Sequence, residues 1–198
     1  MAEITATMVK ELRERTGVGM MECRKALVET DGNMDAAIKY LRERGISKAE
    51  AKSLRDTKEG IIFSYIHFNG KIGVLLELNC ESDFVARTDE FKALAEEIAL
   101  QIAATNPLAI TAEQIDPAII EREREIAYNK AVNDGKKADI IDKIVDGNIK
   151  KYCSEHALME QGTISDEKIT IKELLTNAIA RTGENIQIAR FVRYALGE

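Results

Sequence analysis

The sequence predicts an α+β fold: a helical opening, a sheet of three antiparallel strands, and helices packed on that sheet. Three observations carry this expectation. Apolar residues recur at helical spacing through the first 45 or so residues, alternate instead on both sides of Asn69-Gly70, and alternate again near the end of the chain. Only 2 Pro and 12 Gly among 198 residues leave room for long uninterrupted elements. At 45% hydrophobic and 31% charged, the composition is that of a globular chain, not a disordered or fibrous one.

The first helix carries Ile4, Met8, Val9 and Leu12 at helical spacing and ends at Gly17. In the second, Met20, Cys23 and Leu27 share one face, and Asp31-Gly32 stops it. Asn33 is a good N-cap for the third, which turns Met34, Ala37, Ile38 and Leu41 inward and is expected to terminate at Gly45. A polar segment over residues 47–56, with Lys48, Lys52 and Arg55, reads as a separate, exposed linker helix. These elements define an N-terminal three-helix bundle plus linker over residues 1–56 and an α+β core over residues 57–198. A bundle this small is marginal by itself.

Residues 60–68 are β-branched and aromatic, and Asn69-Gly70 is a strong hairpin signal. Residues 71–79 return, with Ile72, Val74, Leu76 and Leu78 on one side. The first strand is apolar on both sides: Ile62, Ile66 and Phe68 point one way, Ile61, Phe63 and Tyr65 the other. A hairpin with one wet face would alternate more cleanly. Both faces are therefore expected to be covered, one by helices and the other by another sheet or subunit. The third strand spans residues 185–196, with Ile186, Ile188, Val192 and Leu196 opposite Gln187, Ala189, Phe191 and Arg193.

Between the strands lie helices. Thr88 or Asp89 caps one running to about Thr105, with Phe91, Leu94, Ala95, Ile98 and Ile102 inward. Pro117 suits the first turn of another reaching about Asn133. Asp134-Gly135 is a turn, and a further helix over residues 137–156 carries Ile141, Ile144, Val145 and Tyr152. Two long helices with few large apolar residues suggest a protruding antiparallel hairpin over about residues 117–156, a surface tool more than a core element. A last helix over residues 171–181 precedes the third strand.

Several function classes are disfavoured. Cys23, Cys80 and Cys153 form no CxxC pair and no disulfide framework, which reads as inert thiols in a reducing compartment. His67 and His156 sit in no zinc or triad motif, no phosphate loop occurs, and Gly17-Val18-Gly19 follows no strand. No catalytic residue, metal ligand or cofactor is expected, so the chain is read as a non-enzyme. No apolar run reaches the roughly 20 residues of a membrane span. The opening lacks a basic segment followed by an apolar one, so a cytoplasmic protein is expected, without a membrane partner. Residues 1–58 hold 12 basic and 10 acidic side chains, the remainder 16 and 24, giving a mildly basic head on an acidic core. The head contains a single aromatic, Tyr40. That suits a protein partner better than direct nucleic-acid binding.

The segment Asn79-Cys80-Glu81-Ser82-Asp83-Phe84-Val85-Ala86-Arg87 sets a carboxylate beside a large aromatic in what should be a surface loop. Phe84 could anchor the loop in the core, with Asp83 accepting backbone N–H groups. Alternatively, the ring is a wedge for a partner and the carboxylate disturbs a cation site there.

This loop resembles a signature of the elongation factor Ts family. The opening stretch also resembles that family, from Ile4-Thr5-Ala6 through Val9-Lys10-Glu11-Leu12-Arg13-Glu14-Arg15-Thr16-Gly17-Val18-Gly19-Met20-Met21-Glu22-Cys23-Arg24-Lys25-Ala26-Leu27. So does the ending Phe191-Val192-Arg193-Tyr194-Ala195-Leu196-Gly197-Glu198. The likeness runs the length of the chain in the right order. Ser82 stands where the family usually has threonine, keeping a hydroxyl.

The resemblance implies a guanine-nucleotide exchange factor for the GTPase elongation factor Tu. It implies that Ser82, Asp83, Phe84 and Val85 bind the partner's GDP form and dislocate its Mg²⁺. Phe84 would be inserted between helices and Asp83 would face the cation's hydration shell. Arg13, Met20 and Met21 would contact the GTPase domain. From the residues alone, one of the two adjacent methionines could instead be core. The chain has room for one copy of the sheet-and-helix core where longer members carry two. Short members are implied to pair as homodimers, sheet against sheet. The bundle also resembles ubiquitin-associated domains, which implies shared architecture and not ubiquitin binding. The rival reading is a non-catalytic helical adaptor that binds some other protein through the head and does not accelerate nucleotide release.

Overall fold

The computed structural model describes residues 4–198, apart from the side chains of Lys48 and Asp139. In chain order it contains α1 (Ala6–Thr16), α2 (Met20–Glu29), α3 (Met34–Lys52), β1 (Glu59–Ile66), β2 (Ile72–Cys80), the single turn α4 (Asp83–Ala86) and α5 (Asp89–Thr105). These are followed by α6 (Pro117–Asn133), α7 (Ala138–His156), α8 (Ile171–Thr182) and β3 (Ile186–Ala195). The strands form one sheet in the order β1-β2-β3. The α+β expectation holds.

Two compact units divide the chain. The first comprises residues up to Ile62, Glu77–Ala95 and Glu173–Ala189. Its helical part closes around Val9, Leu12, Cys23, Ala26, Leu27, Ala37 and Leu41. Local chemistry sets the helix ends. The Thr5 hydroxyl accepts the Met8 N–H at 3.3 Å, and the Asn33 side chain accepts that of Ala36 at 3.0 Å. Gly17 adopts φ 67°, which lets its N–H reach the Arg13 carbonyl at 2.7 Å.

The expected stop at Gly45 and the separate linker helix are both corrected. α3 runs unbroken through Gly45 to Lys52. A glycine costs a helix about 1 kcal/mol relative to alanine, which is too little to break it without a left-handed turn. Gly45 is buried, and a Cβ there would lie 3.7 Å from the Ala180 side chain on α8. Contacts made far away in sequence hold the extension. Arg42 pairs with Glu173, and Lys52 donates to the Gly183 carbonyl.

The second unit comprises Phe63–Leu76, Glu96–Lys172 and Arg190–Glu198. Here α6 and α7 form the antiparallel pair expected from Pro117 and Asp134-Gly135, with Asp116 capping Ala118 N–H at 2.8 Å and Gly135 at φ 67°. Their shared core is small, Ala127 and Ala131 against Ile141 and Val145. A buried polar lock went unforeseen. The Gln101 amide donates to the Gln161 side chain (3.0 Å) and the Gly162 carbonyl (3.2 Å), and its oxygen accepts the Ile164 N–H (3.0 Å). Three bonds on one side chain tie residues 161–164 of the irregular segment before α8 to α5.

The hairpin turn also departs from expectation. His67 N–H bonds the Ile72 carbonyl at 2.9 Å, so four residues form the loop, and only Gly70 has positive φ. A two-residue Asn-Gly turn would need Asn69 there too. On β3, Ala189 and Arg190 are both exposed, so the inward phase shifts by one residue. Ile186 and Ile188 are buried, whereas Val192 and Leu196, expected on the same face, are exposed with Tyr194. In this unit Ile66, Phe68 and Leu75 are exposed as well. The Leu196 N–H to Lys71 carbonyl bond (2.8 Å) fixes the strand register. One apolar sheet face is therefore open in the single chain.

Candidate functional site

The signature segment lies between the last residue of β2 and the first turn of α5. Ser82 is extended (φ −131°, ψ 153°) and its hydroxyl accepts the Val85 N–H at 3.4 Å, which starts the single helical turn α4. Thr88, the first of the two expected caps, ends the turn and begins the next helix. Its hydroxyl donates to the Val85 carbonyl (2.8 Å) and accepts the Phe91 N–H (3.2 Å). Ala86 and Phe91 point inward and are buried. With both ends pinned, Phe84 is left outward, 81% exposed. The alternative in which Phe84 anchors the loop in the core is thereby excluded for the free chain.

The cap of this turn is Ser82, and Asp83 turns its side chain to another residue instead of to backbone N–H groups. Its carboxylate pairs with Arg87 at 2.8 Å, one turn along, and the Arg87 side chain is largely in water. An exposed pair of this kind is worth about 0–1 kcal/mol, so it can open when a partner offers a better contact. Val85 is half-buried and anchors the turn, with Ser82 half-buried beside it. Cys80 is buried beneath, donating from its thiol to the Ser82 carbonyl at 3.1 Å. Burial pushes the Cys80 thiol above its ordinary range, and the Glu184 carboxylate adds to that shift. A thiol so raised favours the fold while protonated, and that contribution fades as pH climbs through the folded-state value.

Arg13, Met20 and Met21 lie on the helical head. Met20 was expected on the buried face with Cys23 and Leu27, but it is 41% exposed, and Met21 is 76% exposed. Met20 is the first residue of α2, directly after Gly19, and lies outside the buried cluster that holds Cys23 and Leu27. Neither methionine is therefore a core residue. Arg13 and Met20 line one shallow groove with Lys10 and Gly17, and Met20 and Met21 line a neighbouring one with Val9 and Arg24. The structure thus groups Arg13 with the methionines and groups residues 82–85 on their own turn.

Sequence reasoning missed the residues that hold the turn. The Glu184 carboxylate accepts both the Ser82 hydroxyl (2.6 Å) and the Ser82 N–H (3.0 Å). The only available signal was an acid directly after Gly183, which ends α8 at φ 80°. Among the described residues, no helix is long and apolar enough to cross a membrane.

An α+β chain that shows an aromatic on a pinned turn and methionines on a small helical head has the build of a factor that acts by gripping another protein. Comparison with known proteins identifies which kind. The profile of the family described as "Elongation factor TS" matches residues 3–198. The chain is 56% identical over 194 residues to Elongation factor Ts of Nitratidesulfovibrio vulgaris, covering 98% of this chain and 97% of that one. It is 55% identical over 197 residues to Elongation factor Ts of Oleidesulfovibrio alaskensis, covering both chains fully. Against Elongation factor Ts of Heliobacterium modesticaldum it is 53% identical over 195 residues, covering 98% and 91%. The chain belongs to the elongation factor Ts family. Its role is that of a guanine-nucleotide exchange factor for elongation factor Tu, and the rival reading as an unrelated adaptor is not favoured.

Proposed function

We propose that the turn carrying Ser82, Asp83, Phe84 and Val85 is the exchange element, and that it works by displacing the Mg²⁺ of GDP-bound elongation factor Tu. The exposed ring of Phe84 on its pinned turn is the observation that carries this reading. Phe84 inserts between helices of the GTPase domain and shifts the elements beside the cation. Asp83, released from Arg87, disturbs the hydration shell that Mg²⁺ normally keeps. Loss of the cation leaves the phosphate charges less neutralised, and GDP leaves.

No covalent bond is made or broken in this scheme, so the chain needs no cofactor of its own and is not an enzyme. The driving force is linkage. If the attached factor weakens GDP binding, GDP weakens the factor's binding by the same ratio. Incoming GTP then displaces the factor. Arg13, Met20 and Met21 supply the grip: methionine side chains adapt to an irregular apolar surface, and Arg13 adds a donor at the groove's edge. The action is expected in the cytoplasm, where translation runs. Residues 1–56 would serve as the gripping head and residues 57–198 as the exchange and dimerisation core.

We also propose a homodimer through the open sheet face. Ile66, Phe68, Leu75, Tyr194 and Leu196 are exposed together in one unit, a concentration of apolar side chains that a monomer seldom leaves wet. Light scattering during size exclusion should give twice the 22.1 kDa chain mass, and Tyr194→Asp should return a monomer. A monomer for the unaltered chain rules the dimer out. The exchange reading is tested by release of labelled GDP from elongation factor Tu. The chain should accelerate it, and Phe84→Ala should abolish most of the acceleration while the fold survives.

A further inference from the structure

We propose that Glu184 is a positioning residue for nucleotide exchange, acting through Ser82 to hold the Phe84 turn rigid against the load of insertion. The inference rests on the wedge reading above and names the part of the molecule that braces it. A wedge transmits strain only if its base does not yield. The single turn α4 has four residues and is too short to be stable by its own hydrogen bonds. Its stiffness must come from outside.

The brace is a reciprocal pair of acids. From the bend between α8 and β3, Glu184 reaches across and receives the Ser82 N–H and hydroxyl, one on each carboxylate oxygen, at 3.0 and 2.6 Å. Directly after β2, Glu81 reaches back and receives the Asn185 N–H at 2.6 Å. Each acid therefore satisfies a backbone donor on the other's segment. Asn185 is fully buried and its amide donates to the carbonyls of Arg55 (2.9 Å) and Ser53 (3.4 Å). The segment after α3 is thus tied to the same junction. Bonds to an ionised carboxylate are about twice as strong as neutral ones, and two of them on one residue fix orientation as well as distance. Ser82 is at once the N-cap of α4 and the group that Glu184 grips. A push on Phe84 is consequently carried through one residue into the α8–β3 junction.

A carboxylate that only satisfied polar groups would affect stability and nothing else. The distinction is made by measuring GDP release from elongation factor Tu over a range of factor concentrations, which separates the maximal release rate from the half-saturating concentration. Glu184→Gln keeps the length of the side chain and removes the second acceptor. It should lower the maximal rate about ten-fold, the effect of losing one charge-assisted bond, and leave half-saturation within about two-fold. In a Phe84→Ala background the same substitution should change nothing further, because there is no wedge left to brace. Glu184→Asp, which keeps the charge but is too short to span both donors, should lie between; it carries the same test if Glu184→Gln fails to fold.

A folded Glu184 variant with the maximal rate of the unaltered protein overturns the brace, as does a loss that adds in full to that of Phe84→Ala. Full activity in Phe84→Ala alone overturns the wedge itself. The two failures are therefore read from different variants.

Discussion

The signature turn and the helical head both expose apolar groups to water, and they are built in opposite ways. Phe84 stands on four residues pinned at both ends by Ser82 and Thr88 and braced by Glu184. Its ring has two rotatable bonds and a fixed base. Met20 and Met21 open α2 directly after Gly19, a cap with no side-chain hydrogen bond, and each side chain has three rotatable bonds. The turn suits the delivery of force at one point. In the scheme proposed above, the head holds the partner by adaptable apolar contact while the turn acts on it.

That contrast is sharpened or broken by substitutions on each side of it. Phe84→Ala should reduce the maximal GDP release rate by about 100-fold, the scale of a central aromatic anchor, with half-saturation nearly unchanged; stopped-flow release of fluorescent GDP reads both. If the loss appears in half-saturation instead, the turn is an adhesive surface like the head. Replacing Met20 and Met21 together by Ala should raise half-saturation about ten-fold and leave the maximal rate alone. A fall in maximal rate would move the head into the exchange step.

Gly17→Ala probes the base of the head. Its φ of 67° is costly for alanine, and a Cβ there would lie 2.9 Å from the Arg181 side chain. It should cost about 1 kcal/mol of stability, seen as a melting point a few degrees lower, with a release rate that is normal once the factor is saturating. Arg87→Ala should have the smallest effect, within about two-fold in rate, because its pair with Asp83 is mostly exposed. A large gain would show that Arg87 restrains Asp83 in the free factor. Thiol labelling adds a check on the turn: Cys153 is half-buried and should react first, while Cys80, sealed under Ser82, should wait for unfolding.

Much of the molecule was legible in the chain because it is decided locally. Thr88 and Asn33 cap helices by bonding backbone donors three residues on, and Pro117 and Asp134-Gly135 mark their turns by fixed dihedral preferences. The buried stripe Phe91, Leu94, Ala95, Ile98 and Ile102 followed from a period of 3.6. Gly45 misled because its environment is set by Ala180, far along the chain. The two faces of β3 misled because a one-residue shift at Ala189 and Arg190 leaves no mark in composition.

The sequence by itself determined the α+β class, most of the helices with their locally capped ends, and the family, since each depends on residues adjacent or nearly so. Only the tertiary structure decided that Phe84 faces water, that both head methionines are exposed, and that Glu184 grips Ser82 across 102 positions of chain. Exposure and cross-chain hydrogen bonds depend on what the rest of the fold brings alongside, and no local pattern carries that information.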